Sequence, residues 1–549
     1  MRKIFFAILF VILSNGSFAQ SEQFLIENCI QNYINGTSYN KPESIGKAFY
    51  AEANLFLSHK EKPLWLVPIS EYVNWFQNGN NGKYCILSNL SAQTNSAAEK
   101  KIDSLFSQYN SKTAGVAVGI VQDVKLIFEK GYGTANLEYD IPITSKTIFN
   151  IGSVSKQFTT FSIYLLEKQG KISLDDDIRK YIPELPIYEK IITIKHLCSH
   201  TSGLKDQWAL LTLAGWRMDD VITTEQVMKI ITKQKELNFL PGSQFKYSNT
   251  GFTLLTEIVK RVSGKSFSRF AKENIFNPLG MENTLIYDDN EKIVKNRAYS
   301  YGCANGLYSK RNLNSSSVGP TNVYTTVEDL VKWTANFENP KVGDVDFINL
   351  FNEKSLLDNG KPAILAVRDG ENIYHAKGQF IRNYKGLNVY NHTGSDAGFK
   401  SYLGRFQENK LSIILLSNDE GFVSYKAGMD IAEFYLSNKF KERSPIIESQ
   451  IRVEEAPVYI ATTNLKGFEG QFQNSDLASL FTLKVINGKL TMSHNRLSDA
   501  VLTEVEKDKF TGVITFAVEV NFQRNKKNKI TGLSITNFGA TNVNFIKLK

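Results

Sequence analysis

Cysteine is scarce in this chain: four in 549 residues, at 29, 85, 198 and 303. Their spacing gives no disulfide framework and no C-x-x-C pair, and Cys29 and Cys85 are the only two that fall inside one proposed unit. Six histidines make no H-x-H or H-E-x-x-H pattern, so the expectation is no metal and no cofactor. No stretch has the 18 or more consecutive apolar residues of a membrane helix, so stable membrane insertion is not expected. The net charge of +9 is scattered rather than gathered into a basic stripe with aromatic interleaving, which argues against nucleic-acid binding. Its densest cluster, Arg524, Lys526, Lys527 and Lys529, sits between two strand-like runs and reads as a solvated hairpin turn. There is no internal repeat.

What is present begins with "MRKIFFAILFVILSNGSFAQ". Arg2 and Lys3 precede an apolar run from Ile4 to Leu13, and Ser17-Phe18-Ala19 supplies small residues at a cleavage spacing. The run is too short to span a bilayer. Residues 1–19 are therefore expected to be a signal peptide cut near Ala19-Gln20, and the mature protein to be periplasmic or secreted. No cysteine follows the cut to carry a lipid.

A chain of this length exceeds one ordinary core. Residues 20–94 form a small α+β unit, with helical periodicity in Phe24, Ile26, Ile30, Tyr33 and Ile34 followed by "AFYAEANLFLS" and "PLWLVPISEYVNWF". This order resembles the first half of the lumazine-binding-like members of the nuclear-transport-factor superfamily. A small, polar linker precedes "AGVAVGIVQDVKLIFEKGYG", two strands with a turn expected at Gln122-Asp123. Residues 95–440 mix helical and strand patterns, and residues 441–460 read as a second linker. Residues 461–549 are all strand, with turns every eight to twelve residues, as in a small sandwich or barrel.

The chemistry centres on S-x-x-K, which occurs five times: Ser38 to Lys41, Ser44 to Lys47, Ser153 to Lys156, Ser202 to Lys205 and Ser243 to Lys246. Ser153 follows Gly152 and alone opens a run with apolar residues at Phe158, Phe161, Leu165 and Leu166 and a glycine stop at Gly170, whereas Ser243 follows Gly242 within a turn. Residues three apart share a helix face, so the Ser153 hydroxyl and the Lys156 amine can meet. The start of a helix also offers free N–H groups to a developing oxyanion. The segment alone leaves two readings open, a nucleophile with its amine or a serine N-cap with a surface lysine.

Two further elements bear on the choice. Tyr247-Ser248-Asn249 lies between the Pro241-Gly242 turn and another helical run, and His392-Thr393-Gly394 lies in a strand-like run. S-x-x-K, Y-x-N and [KH]-T-G in this order resemble the serine β-lactamases and penicillin-recognising peptidases, above all class C β-lactamases and the related esterases and D-aminopeptidases. "HLCSHTSGL" (196–204), "NPLGMENT" (277–284) and "GPTNVYTTVEDLVKW" (319–333) match in place, over about residues 100 to 438. The resemblance implies an α+β β-lactamase/transpeptidase-like domain, an antiparallel sheet flanked by helices plus an all-helical part. The strand-rich tail resembles the lipocalin-like barrels of peptidase-like members, which can border the cleft and limit substrate size.

The resemblance also implies roles. Ser153 would be acylated and Lys156, buried beside Tyr247, would take its proton, the lysine and the tyrosine acting as a coupled pair of which either could be the base. Tyr247 would pass a proton to the leaving group, and Asn249 would hold Lys156 and the substrate amide. The backbone N–H groups of Ser153 and Ser395 would form the oxyanion hole, with Thr393 and Gly394 beside the substrate. A lysine usually starts the third motif and anchors a substrate carboxylate. His392 is only partly cationic near neutral pH, a weaker anchor. That turns the expectation from a specialised β-lactamase towards esters, amides or D-amino-acid peptides, cell-wall fragments among them. A D,D-carboxypeptidase or class C β-lactamase is the alternative within enzymes, and a non-catalytic ligand sensor the alternative outside them.

Overall fold

The computed structural model describes residues 54–59, 62–68, 98–368, 370–441 and 464–549. The expected signal peptide, most of the first unit, Cys29, Cys85 and residues 442–460 of the expected second linker lie outside the described residues. Of the first unit, Asn54–His59 pairs antiparallel with Lys62–Pro68.

The second unit is built around an eight-stranded antiparallel sheet. Its order is Ile364–Arg368, Glu371–Ala376, Gln379–Tyr384, Leu387–Asp396, Phe399–Phe406, Leu411–Ser417, Val116–Gln122 and Lys125–Tyr132. The step from Leu411–Ser417 to Val116–Gln122 joins chain segments some 300 residues apart, for Ile413 faces Ile120 and Leu415 faces Val118. Val116–Gln122 has no polar side chain before Gln122 because both its faces are covered. Val116, Val118 and Ile120 join one core with Ile413 and Leu415, while Ala117 and Val121 join another with Ile414 and Leu416. Side chains alternate between the faces of a strand, so each neighbouring pair splits between the two cores. The turn that follows falls one residue later than expected. Asp123 and Val124 both take positive φ, 49° and 60°, so they are the central pair of the two-residue hairpin.

The larger core lies between the sheet and the helical part, where Lys156–Lys168 and Asn249–Ser263 run together. The expected glycine stop, Gly170, has φ +67°, and the second helix ends in the same way at Gly264, φ +69°.

The tail is a closed barrel of eight antiparallel strands in sequence order, from Gly470–Asn474 to Val543–Lys547. Strand patterning alone gives six segments. It overlooks Leu497–Glu506, which buries only Ala500 and Leu502 and leaves Val501 and Val505 exposed, and it fuses Lys509–Val513 with Ala517–Arg524 across a short turn. Phe472, Phe481, Leu490, Phe510, Val520, Leu533 and Phe545 fill the interior, as expected for eight strands. The basic cluster sits at the hairpin after Arg524, whose guanidinium pairs with Asp508.

The barrel is seated on the helical part by specific polar bonds. Ser479 Oγ donates to the Leu213 carbonyl at 2.6 Å, and the Asp206 N–H donates to the Gly539 carbonyl at 2.9 Å. Thr541 donates its N–H and hydroxyl to Asn238 Oδ1, both at 2.9 Å.

Candidate active site

Ser153 lies in a 3-10 turn, Gly152–Ser155, that leads directly into the helix Lys156–Lys168. The turn is pressed against the strand Leu387–Asp396 by two glycines. A Cβ on Gly152, whose φ is +50°, would stand 2.6 Å from the Ser395 backbone nitrogen. A Cβ on Gly394 would stand 2.0 Å from the Ile151 carbonyl oxygen. Only glycine permits this approach, and it brings the backbone of Ser153 beside that of Ser395.

Lys156 is fully buried beneath Ser153. Its Nζ lies 3.1 Å from Ser153 Oγ, 2.9 Å from Asn249 Oδ1 and 2.9 Å from the Pro320 carbonyl oxygen. It also sits 4.8 Å from the centre of the Tyr247 ring. Burial pulls its pKa down from the ordinary lysine value to about 7, with Asp206 and Asp396 pulling the other way. Burial likewise raises the Tyr247 phenol well above its ordinary value, against a smaller opposite effect of its bond to Ser153.

Three of the residues that hold this arrangement carry no motif of their own. Asp206 caps the helix Gln207–Leu213 and turns its other carboxylate oxygen to Asn249. An Asp before an apolar helical run signals an N-cap, and only the fold adds the second task. His200, inside the stretch "SHTSG", stacks on Tyr247 at 4.3 Å between ring centres, and its Nδ1 lies 3.1 Å from the Ser248 nitrogen. Asp396 Oδ2 accepts from Asn150 Nδ2 at 3.1 Å and from the Thr321 hydroxyl, tying the third motif to the strand before the nucleophile.

A cleft of about 460 Å³ opens over these groups. Ser153, Tyr247, Asn249 and Ser395 lie on its wall, while Lys156 is buried behind Ser153. Thr393 is half-buried and Gly394 fully buried, and neither lines the cleft. The other four S-x-x-K serines take no part in it: Ser202 is buried and Ser243 exposed elsewhere, and Ser38 and Ser44 lie outside the described residues. The barrel contributes Thr515, Phe516 and Phe538 to the cleft.

His392 departs from expectation. It is not a partial cation at the cleft wall but a buried ring, 4.7 Å from Phe380 and 6.3 Å from Tyr247 between ring centres. Burial, with Lys156 close by, drops its pKa to about 3, so it is neutral at any physiological pH. His200 and His375 are held neutral for the same reason. The third motif therefore brings no positive charge to the cleft.

A family model described as Beta-lactamase matches residues 102–435. Penicillin-binding protein 4* of Bacillus subtilis is 27% identical over 313 residues, which cover 55% of this chain and 67% of that protein. A D-aminopeptidase of Gluconobacter oxydans is 25% identical over 304 residues, 55% of each chain. A D-aminopeptidase of Brucella anthropi is 26% identical over 314 residues, 57% of this chain and 58% of its own. The chain thus spans about half to two thirds of the length of these curated relatives. Among solved structures, the octameric penicillin-binding protein homologue from Pyrococcus abyssi superposes with a TM-score of 0.54 at 22% identity, over 83% of this chain and all of that one. That likeness is one of fold.

Proposed function

The chain belongs to the β-lactamase family, and on that premise we propose that it is an exported serine hydrolase that works through an acyl-enzyme on Ser153. Its substrates are esters, amides or D-amino-acid-containing peptides. The observation that carries the reading is the set of partners around Lys156. The Asn249 amide oxygen and the Pro320 carbonyl oxygen can only accept, and each lies 2.9 Å from Nζ. A neutral lysine has two N–H groups for these two acceptors. Its lone pair is then left for the third neighbour, the Ser153 hydroxyl at 3.1 Å. A pKa near 7 makes that neutral amine available at physiological pH.

The steps follow from this arrangement. Lys156 takes the Ser153 proton as Oγ attacks the substrate carbonyl. The backbone N–H groups of Ser153 and Ser395 receive the developing oxyanion, each donor worth roughly 3 to 4 kcal/mol in the transition state. The proton passes to the leaving group through Tyr247, a neutral phenol at working pH that can donate but is too weakly acidic to be the resting base. Water then hydrolyses the acyl-enzyme by the same relay in reverse.

The uncharged third motif supports the choice of substrates, because a D,D-carboxypeptidase or β-lactamase site gains from a cation there to hold the substrate carboxylate. The D-aminopeptidases among the relatives support the same side. The leader-like residues 1–19 support export. The test is Ser153→Ala against p-nitrophenyl acetate, with mass spectrometry after a fluorophosphonate probe. An adduct on the peptide holding Ser153, and loss of hydrolysis in the variant, are expected. A variant as fast as the parent would sink the reading.

A further inference from the structure

The cleft does not end at Ser395. Arg311, Asn312, Leu313 and Ala397 line both the catalytic cleft and an adjoining cavity of about 90 Å³. At the far side of that small cavity stands Arg297, and beyond it opens a larger hollow of about 660 Å³ whose wall Arg297 shares with Tyr287, Asn290 and Tyr299. The Arg297 guanidinium carbon lies 5.5 Å from the Tyr287 ring centre and 5.6 Å from that of Tyr299. Two aromatic faces thus hold a planar cation in place.

The charges around this cavity are unequal. Arg311 is neutralised, its Nε donating to Glu420 at 2.7 Å. Arg297 has the Tyr287 hydroxyl beside it, and among the described residues no carboxylate pairs with it. No Asp or Glu lines the small cavity at all. A half-buried guanidinium with five donors, fixed by stacking and facing a space that holds only a few heavy atoms, is suited to a single planar anion.

We propose that Arg297 is a second recognition point for substrate: it receives a carboxylate carried at a distance from the scissile carbonyl. The proposal rests on Ser153 being the acylated residue and names the class of substrate that the site prefers, an ester, amide or peptide with a remote carboxylate. The charge that the third motif lacks at His392 is then supplied from the other end of the cleft.

The test assays the full-length protein on matched p-nitrophenyl esters: ω-carboxyacyl chains of four to eight carbons against methyl-terminated chains of equal length. A second pair places the carboxylate on the leaving group, 4-acetoxybenzoate against phenyl acetate. At one length or on one side, the carboxylated member should show a KM lower by about 10- to 100-fold, the usual worth of a charge-assisted bidentate bond. Arg297→Ala should erase that preference while leaving p-nitrophenyl acetate turnover unchanged. If the alanine variant is too unstable to assay, Arg297→Gln is read by the same ratio. Arg297→Lys, which keeps the charge but loses the fork and the stacking, should keep only part of it. No preference in the parent for any pair, or a preference that survives Arg297→Ala and Arg297→Gln, would overturn the proposal. Failure of the underlying reading looks different, because Ser153→Ala would then hydrolyse p-nitrophenyl acetate as the parent does.

Discussion

Asp206 holds Asn249 by two bonds from a single carboxylate oxygen: Oδ2 accepts the backbone N–H at 2.6 Å and the side-chain Nδ2 at 2.9 Å. With Nδ2 so engaged, Oδ1 must face Lys156. Asp206→Asn leaves one acceptor oxygen for two tasks, the cap on Trp208 and Ala209 and the hold on Asn249; with that oxygen on the cap, the Asn249 amide becomes free to turn its NH₂ towards the amine. A hydrogen bond to a charged group is worth about 1.5–3 kcal/mol, so kcat should fall about 10- to 100-fold. The loss should appear in kcat and pH profile rather than in KM. A variant with unchanged kcat and only a lower melting temperature would reduce Asp206 to a helix cap.

The pH profile of kcat/KM follows from Lys156. A base must be unprotonated, and its pKa is drawn down to about 7. The sign is that activity rises with pH through 7, and at pH 5 it should stand about 100-fold below the plateau. His392 is already neutral across this range, with a pKa near 3. A single ascending inflection is therefore expected between pH 5 and 8. Two inflections there would show that a histidine titrates with the reaction. Lys156→Arg, which has no lone pair to offer, should cost about 10²–10⁴-fold at every pH.

Gly152→Ala places a methyl 2.6 Å from the Ser395 nitrogen, in a backbone region where L-residues cost about 1–2 kcal/mol. The strand must retreat, and the Ser395 N–H moves away from the oxyanion it would meet. Loss of one such donor lowers kcat about 10²–10³-fold. Acylation by a fluorophosphonate, timed by mass spectrometry, should slow in parallel. If kcat falls but the acylation rate holds, the damage lies in deacylation instead.

The sequence motifs identified Ser153, Lys156, Tyr247 and Asn249, and the fold brings these four together because each sits at or next to an element boundary that local patterning reveals. Asp206 and Arg297 were not legible in the same way. Asn249 lies 43 residues from Asp206, and Tyr287 and Tyr299 flank Arg297 on one irregular loop where no periodicity tells which side chains stack. His392 shows a third kind of limit. Its place in a strand was readable, but its charge depends on burial against Phe380 and Tyr247, which is a property of packing. In the barrel, Leu497–Glu506 buries only Ala500 and Leu502 and exposes Val501 and Val505, so its pattern lacks the apolar alternation by which a strand is read.

His392→Lys tests whether the third motif can regain the usual cation. The site offers a lysine two aromatic rings and the nearby Lys156, and burying a charge in such surroundings is costly unless it is paired. The melting temperature should drop by several degrees, and the ascending limb of the pH profile should move below 7 as a second cation disfavours protonation of Lys156. Thermal unfolding and kcat/KM from pH 5 to 8 decide it. An unchanged melting temperature with tighter binding of carboxylated substrates would mean that the lysine reaches the cleft and that His392 sits there by default.

The barrel borders the cleft through Phe516 and Phe538, whose ring centres are 4.8 Å apart, edge to face. Each ring supports the other, so removing one leaves its partner loosened and removing both opens that wall. If the pair limits the size of what enters, Phe516→Ala with Phe538→Ala should raise kcat/KM for a bulky aromatic acyl ester relative to p-nitrophenyl acetate, by on the order of tenfold. Acetate turnover itself should hardly change, because the bonds of Asp206 to Gly539 and Asn249 remain intact. Ser479 and Thr541 also keep the barrel seated, so the fold should survive the double change. A ratio that falls would assign the two rings the opposite role, an apolar wall that grips the substrate's side chain.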